Sequence, residues 1–196
     1  METLPVIVYA ESTPNPSTLK FVINRTLLPD YSVTYTDASQ TSQCPLAAEL
    51  FLLNYVKAVY IANNFITVTK QPTVEWVEVM NELREFIKTW FTDEKPVFTA
   101  LPPKPAVNET AVSGESLSAD AAEQKIMEIL DEYIKPAVEQ DGGEIAFKSF
   151  ENGVVSVELK GSCSGCPSST LTLKAGIEQL LKRMVPGVEK VVAENA

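Results

Sequence analysis

The chain contains no histidine. Imidazole is the usual group for proton transfer near neutral pH and a common metal ligand. Its absence excludes His-based catalysis and His ligation, and leaves any metal chemistry to cysteine or carboxylate. Cysteine is scarce as well: Cys44, Cys163 and Cys166. Three thiols, with only two close in sequence, do not make the disulfide framework of a small secreted domain. No stretch approaches the roughly 20 apolar residues of a membrane span, so no membrane association is expected. Positive charge is also short, with 16 Lys and Arg against 26 Asp and Glu. The deficit is spread along the chain: −3 over residues 1–91, −2 over 92–117 and −5 over 118–196. With no local basic patch, the protein should repel nucleic acid and anionic surfaces. Met1-Glu2-Thr3-Leu4-Pro5 lacks a basic or Arg-rich targeting pattern, so a reducing cytoplasm is the expected location.

What is present is a folding chain. A 45% apolar content over 196 residues suits one large or two small soluble domains. Short β-like runs occur at Val6 to Ala10, Leu19 to Ile23 and Val33 to Thr36, the first two separated by the turn Pro14-Asn15-Pro16. Cys44-Pro45 opens a helix from about Leu46 to Leu53, with proline acceptable in its first turn. Val56 to Ile61 and Phe65 to Thr69 alternate around Asn63-Asn64, which predicts a β-hairpin. Val74, Val77, Leu83, Phe86, Ile87 and Trp90 then lie at helical spacing. Residues 1–92 therefore read as an α+β domain of four or five strands and two helices. Between 93 and 117 the periodicity stops, and Pro96, Pro102, Pro103 and Pro105 crowd the first half. This predicts an extended, mobile linker.

Residues 118–196 predict a second α+β domain in the order α-β-β-loop-α-β. Ile126, Ile129, Leu130, Tyr133 and Ile134 mark a helix running to about Gln140, which Pro136 should kink or break. Asp141-Gly142-Gly143 stops it. The runs Ile145 to Phe150 and Val154 to Leu159 flank Glu151-Asn152-Gly153, a strong hairpin signal. Leu171, Ile177, Leu180, Leu181 and Met184 mark a second helix, ended by Pro186-Gly187, and Val188 to Val192 a closing strand. No internal repeat links the two domains.

The chemistry concentrates in Gly161-Ser162-Cys163-Ser164-Gly165-Cys166-Pro167-Ser168-Ser169-Thr170, between the second strand and the second helix. Cys166 falls at the predicted helix start, where N–H groups and the helix dipole favour a thiolate. Gly161 and Gly165 allow tight turns, and the serines are small donors suited to a bulky anionic centre. Two thiols are half of what a closed zinc or common Fe–S site needs. Two chains, each giving Cys163 and Cys166 about a two-fold axis, would complete it. Spacing alone leaves open a shared cluster, a dithiol redox site, zinc, or neither. Only 30 residues follow Cys166, too few for the sheet that a thioredoxin fold builds after its motif.

The run Lys135-Pro136-Ala137-Val138-Glu139-Gln140-Asp141-Gly142-Gly143 precedes two strands and then Gly161 to Lys174. Together these resemble the NifU C-terminal (Nfu) domain. Ser12-Thr13-Pro14-Asn15-Pro16 with Lys20-Phe21, and Phe65 to Lys70, similarly resemble the Nfu N-terminal domain. The resemblance covers the chain apart from the linker. It implies an iron–sulfur scaffold or carrier rather than an enzyme. Cys163 and Cys166 would hold a labile 4Fe–4S cluster across a homodimer and pass it to apo iron–sulfur client proteins. The N-terminal domain would recognise clients or upstream assembly proteins. From other classes, a dithiol–disulfide oxidoreductase and a zinc-stabilised dimeric binding module are the rival readings.

Simpler roles stand beside these. Cys44 departs from the N-terminal pattern, where a small polar residue is usual, and reads as a packing residue. Asp141-Gly142-Gly143 is first a helix stop, although it can also shape the cluster's surroundings. Pro14-Asn15-Pro16 is first a structural turn, and Lys160 and Lys174 are expected to be solvated.

Overall fold

The computed structural model describes residues 5–102, 117–164 and 167–195. The chain divides into two compact units, 1–105 and 106–196, and both mix helices with sheet. The first unit is a five-stranded antiparallel sheet in the order β1-β2-β5-β4-β3. Its strands are β1 (Val8–Ser12), β2 (Thr18–Ile23), β3 (Leu28–Tyr35), β4 (Val56–Asn63) and β5 (Phe65–Lys70). Two α-helices, α1 (Pro45–Phe51) and α2 (Trp76–Thr92), pack on it. The hairpin at Asn63-Asn64 forms as expected, with Asn63 at positive φ. Strand β3 begins upstream of the expected Val33 and runs through Pro29. It lies at the sheet edge with a register shift between Leu28 and Ser32, a place that tolerates a residue without an N–H.

Strand alternation divides the sheet's side chains between two faces. Phe21, Ile23, Val59, Ile61, Ile66 and Val68 join Leu46 and Leu50 of α1 and Leu83 and Ile87 of α2 in one buried core. Tyr60, Ala62 and Phe65 form a second cluster with Val22. The buried stripe of α2 is Val79, Leu83, Ile87 and Trp90. Val77, expected in that stripe, is 83% exposed, because the stripe advances in steps of four and three from Val79. Val74 lies ahead of the helix and packs on the core only in part. Past the helix, Val97 and Phe98 also pack on this core, and the Tyr31 hydroxyl donates to the Pro102 carbonyl at 3.0 Å. The rest of the expected linker, through residue 116, lies outside the described residues.

The second unit opens with one helical run in three parts: α3 (Leu117–Ile129), a π-helical turn (Leu130–Ile134) and α4 (Lys135–Gln140). Pro136 neither ends the helix nor leaves it regular. It has no N–H to donate, and its ring crowds the carbonyl four residues earlier. The widened turn just upstream, with Lys135 N–H bonded to the Leu130 carbonyl, makes that room. Strands β6 (Gly143–Glu151) and β7 (Val154–Gly161) form the expected hairpin, with Asn152 and Gly153 both at positive φ. After the cysteine loop, α5 (Pro167–Met184) crosses to β8 (Lys190–Asn195), which pairs parallel to β7. Parallel pairing follows from the helical crossover. In β7, Val155, Val157 and Leu159 alternate inward and meet Ile126, Ile129, Ile177, Leu181 and Val191 in the second core. Leu171, expected on the packed face of α5, is 68% exposed.

These packing assignments set a contrast for mutagenesis of α2. Leu83→Ala should cost about 2–5 kcal/mol, whereas Val77→Ala should stay within about 0.5 kcal/mol. Chemical denaturation of the two variants measures both.

Candidate metal centre

The cysteine loop is tied to the turn that ends α4. Asp141 caps that helix, and Gly142 follows at φ 80°, a left-handed conformation that favours glycine. Gly143 then starts β6 and pairs with Gly161, the last residue of β7, itself at φ 65°. The helix stop and the loop departure are therefore directly opposed across the hairpin. Ser162 N–H donates to the Gly142 carbonyl at 3.1 Å, and the Ser162 hydroxyl donates to the Asp141 carbonyl. Ser164 closes the next turn, both its N–H (3.2 Å) and its hydroxyl (2.9 Å) donating to the Gly161 carbonyl.

Cys163 lies inside this arrangement. It is only 7% exposed and belongs to the apolar core of the unit. A Cβ placed on Gly143 would stand 2.8 Å from its Sγ and 2.7 Å from the Lys160 carbonyl. The missing side chain at 143 is the space the sulfur occupies. Burial pushes the Cys163 thiol up from its ordinary range; the Ser162 hydroxyl opposes this and the nearby Asp141 carboxylate adds to it. The Ser162 hydroxyl donates to the Asp141 carbonyl and also lies 3.9 Å from the Cys163 Sγ. Asp141-Gly142-Gly143 is thus both the helix stop and one wall of the site.

The other candidates resolve differently. Cys166 lies outside the described residues. Cys44 is fully buried in the core of the first unit, as a packing role predicts. It stands at the N-cap of α1 without a side-chain cap hydrogen bond, and burial pushes its thiol up, opposed in part by the Tyr35 hydroxyl. Lys160 pairs with Glu158 at 3.4 Å. In the Pro14-Asn15-Pro16 turn, Asn15 is buried and its side-chain oxygen accepts the Ser17 N–H at 3.0 Å. Trp76 Nε1–H holds the Pro16 carbonyl at 2.9 Å. That turn is built into the fold. Among the described residues, no three Cys, Asp or Glu side chains gather closely enough to hold a metal ion.

Glycine substitutions probe the close packing at the site. Gly143→Ala should destabilise the second unit by about 1–3 kcal/mol through overpacking against sulfur and backbone. Gly176→Ala, in open space on α5, should stabilise it by about 0.5–1 kcal/mol; thermal unfolding separates the pair. The buried neutral groups Cys44, Tyr35 and Tyr55 all have raised pKa values, chiefly from burial. Their contribution to stability is complete below the ordinary thiol value of 9.0 and is lost as pH rises through the folded values. Denaturant midpoints should therefore fall between about pH 9 and 11, and Cys44→Ala should flatten the first part of the fall.

Residues 8–94 match the family described as "Scaffold protein Nfu/NifU N terminal", and residues 126–192 match that described as "NifU-like domain". The chain is 35% identical over 189 residues to "NFU1 iron-sulfur cluster scaffold homolog, mitochondrial" of Homo sapiens, covering 95% of this chain and 71% of that protein. Against the protein of the same name from Drosophila persimilis, identity is 35% over 187 residues, covering 95% and 64%. The Drosophila virilis protein is 34% identical and is covered over 61% of its length. The chain thus spans less than two thirds of the two Drosophila relatives. The cytoplasmic location expected from the first residues is corrected by these names, all of which are mitochondrial. A pattern sought in the first five residues says nothing of targeting when such relatives carry further chain. With both of its units matched in order, this chain belongs to the Nfu family of iron–sulfur cluster scaffold proteins.

Proposed function

We propose that this protein is an iron–sulfur cluster scaffold and carrier that takes a 4Fe–4S cluster as cargo on Cys163 and Cys166. A second copy of the chain supplies the other two thiolates, and the cluster passes to apo iron–sulfur proteins by stepwise replacement of these ligands. The observation that carries this reading is the family's two-unit match, with the CxxC pair in the loop between β7 and α5. Residues 118–196 serve as the cluster-binding domain. Residues 1–92 recognise clients or upstream assembly proteins across the segment 93–117. A carrier of this kind is not an enzyme: the chemistry is ligand exchange on the cargo.

The donor set supports iron–sulfur cargo. Cys163 offers a soft sulfur ligand, and thiolates hold the common clusters.

Anaerobic reconstitution with iron and sulfide tests the proposal. The wild type should take up about four irons per two chains and gain the absorption of a 4Fe–4S cluster. Cys163→Ala and Cys166→Ala should each abolish uptake. No cluster in the wild type, or an unchanged cluster in either variant, would sink the carrier. Tight zinc binding without iron uptake would favour the zinc module instead.

A further inference from the structure

Ser162 precedes Cys163 and is itself turned into the fold. It is 2% exposed. Its hydroxyl donates to the Asp141 carbonyl, and its N–H donates to the Gly142 carbonyl at 3.1 Å. One residue thus makes two bonds to the end of α4. Cys163 comes next in the chain, and its sulfur fills the space over Gly143 in the apolar core. A ligand that shares a cluster with a second chain has to face that chain. A sulfur packed in its own domain's core does not.

We propose that Ser162 is a positioning residue that holds Cys163 turned inward, so that cluster loading begins with release of the Ser162 bonds. This rests on Cys163 being a cluster ligand, as proposed above. The two bonds of Ser162 to the end of α4 run to backbone carbonyls, which have no alternative rotamer to follow a moving loop, and its hydroxyl also lies 3.9 Å from the Cys163 Sγ. Swinging the sulfur outward therefore requires the loop to detach from the α4 turn. Packing alone does not assign this role, because apolar contacts are non-directional. The two Ser162 bonds are directional, and they set the path of the loop one residue before the sulfur.

The test is thiol alkylation by iodoacetamide on the reduced, metal-free full chain. Each cysteine is quantified by peptide mass spectrometry relative to the same chain unfolded in guanidinium chloride. Wild-type Cys163 should react at least about tenfold slower than in the unfolded chain, since local opening must precede reaction. Ser162→Ala should speed Cys163 about five- to tenfold, the worth of one buried hydrogen bond, and leave Cys44 slow. Global stability is followed in parallel. A Cys163 rate that rises only in step with loss of global stability overturns the proposal, because that is what a merely structural role would do. A wild-type Cys163 as reactive as in the unfolded chain overturns it too, as does a folded Ser162→Ala protein with Cys163 still slow. Should Ser162→Ala fail to fold, amide exchange of wild-type Ser162 decides: protection of about tenfold or more supports the latch, and its absence removes it. No cluster is needed in this experiment, so its outcome is separate from whether Cys163 ligates iron.

Discussion

The second unit depends on one close approach, the sulfur of Cys163 against the bare Cα of Gly143. Its consequences run in both directions along the chain. Because Gly143 is also the first residue of β6 and pairs with Gly161, the hairpin register decides where the cysteine loop leaves the sheet. Because Gly142 takes a left-handed conformation, the helix can stop at Gln140 and the strand can begin at Gly143. A side chain at 143 would meet the Lys160 carbonyl as well as the sulfur, and a paired backbone carbonyl cannot move aside. The helix stop, the hairpin and the start of the cysteine loop are thereby one object.

The helix that leads into this turn shows the same economy. Pro136 is accommodated by one widened turn rather than by a break, so α3 and α4 remain a continuous element. Ile126, Ile129 and Leu130 before the proline and Val138 after it reach the same core. A full break would leave the residues near Asp141 without that anchorage. At the far end of the unit, Glu178 of α5 accepts the Val191 N–H at 3.1 Å and pairs with Lys182, which ties α5 to β8. Both helices are thus tied down next to the strands that flank β7 in the sheet.

The first unit carries a cysteine of a different kind. Burial in the core keeps Cys44 and Tyr35 neutral; at Cys44 the Tyr35 hydroxyl works against this, and at Tyr35 the neighbouring Cys44 adds to it. Both cysteines among the described residues are thus buried, one as a filler and one as a proposed ligand. What tells them apart is their support. Cys44 sits at the start of a short helix in the middle of a core, whereas Cys163 sits on a loop held by a few named hydrogen bonds.

The alternation of β7, the Asn152-Gly153 turn and the Asp141-Gly142 helix stop are legible in the residues alone, because they are local. Each depends on neighbouring φ and ψ preferences or on period-two burial. The CxxC spacing and the absence of histidine narrow the candidate ligands to sulfur and carboxylate in the same local way. Where several apolar residues could face inward, local pattern is not enough. Val77 and Val79 both suit an amphipathic helix, and only packing against the sheet selects Val79. Leu171 fits the periodicity of α5 and is nevertheless exposed. The sequence by itself determined that two thiols stand two residues apart between a strand and a helix. Only the tertiary structure decided which way Cys163 faces, because that is set by Gly143 and by the Asp141 and Gly142 carbonyls, some twenty residues earlier in the chain.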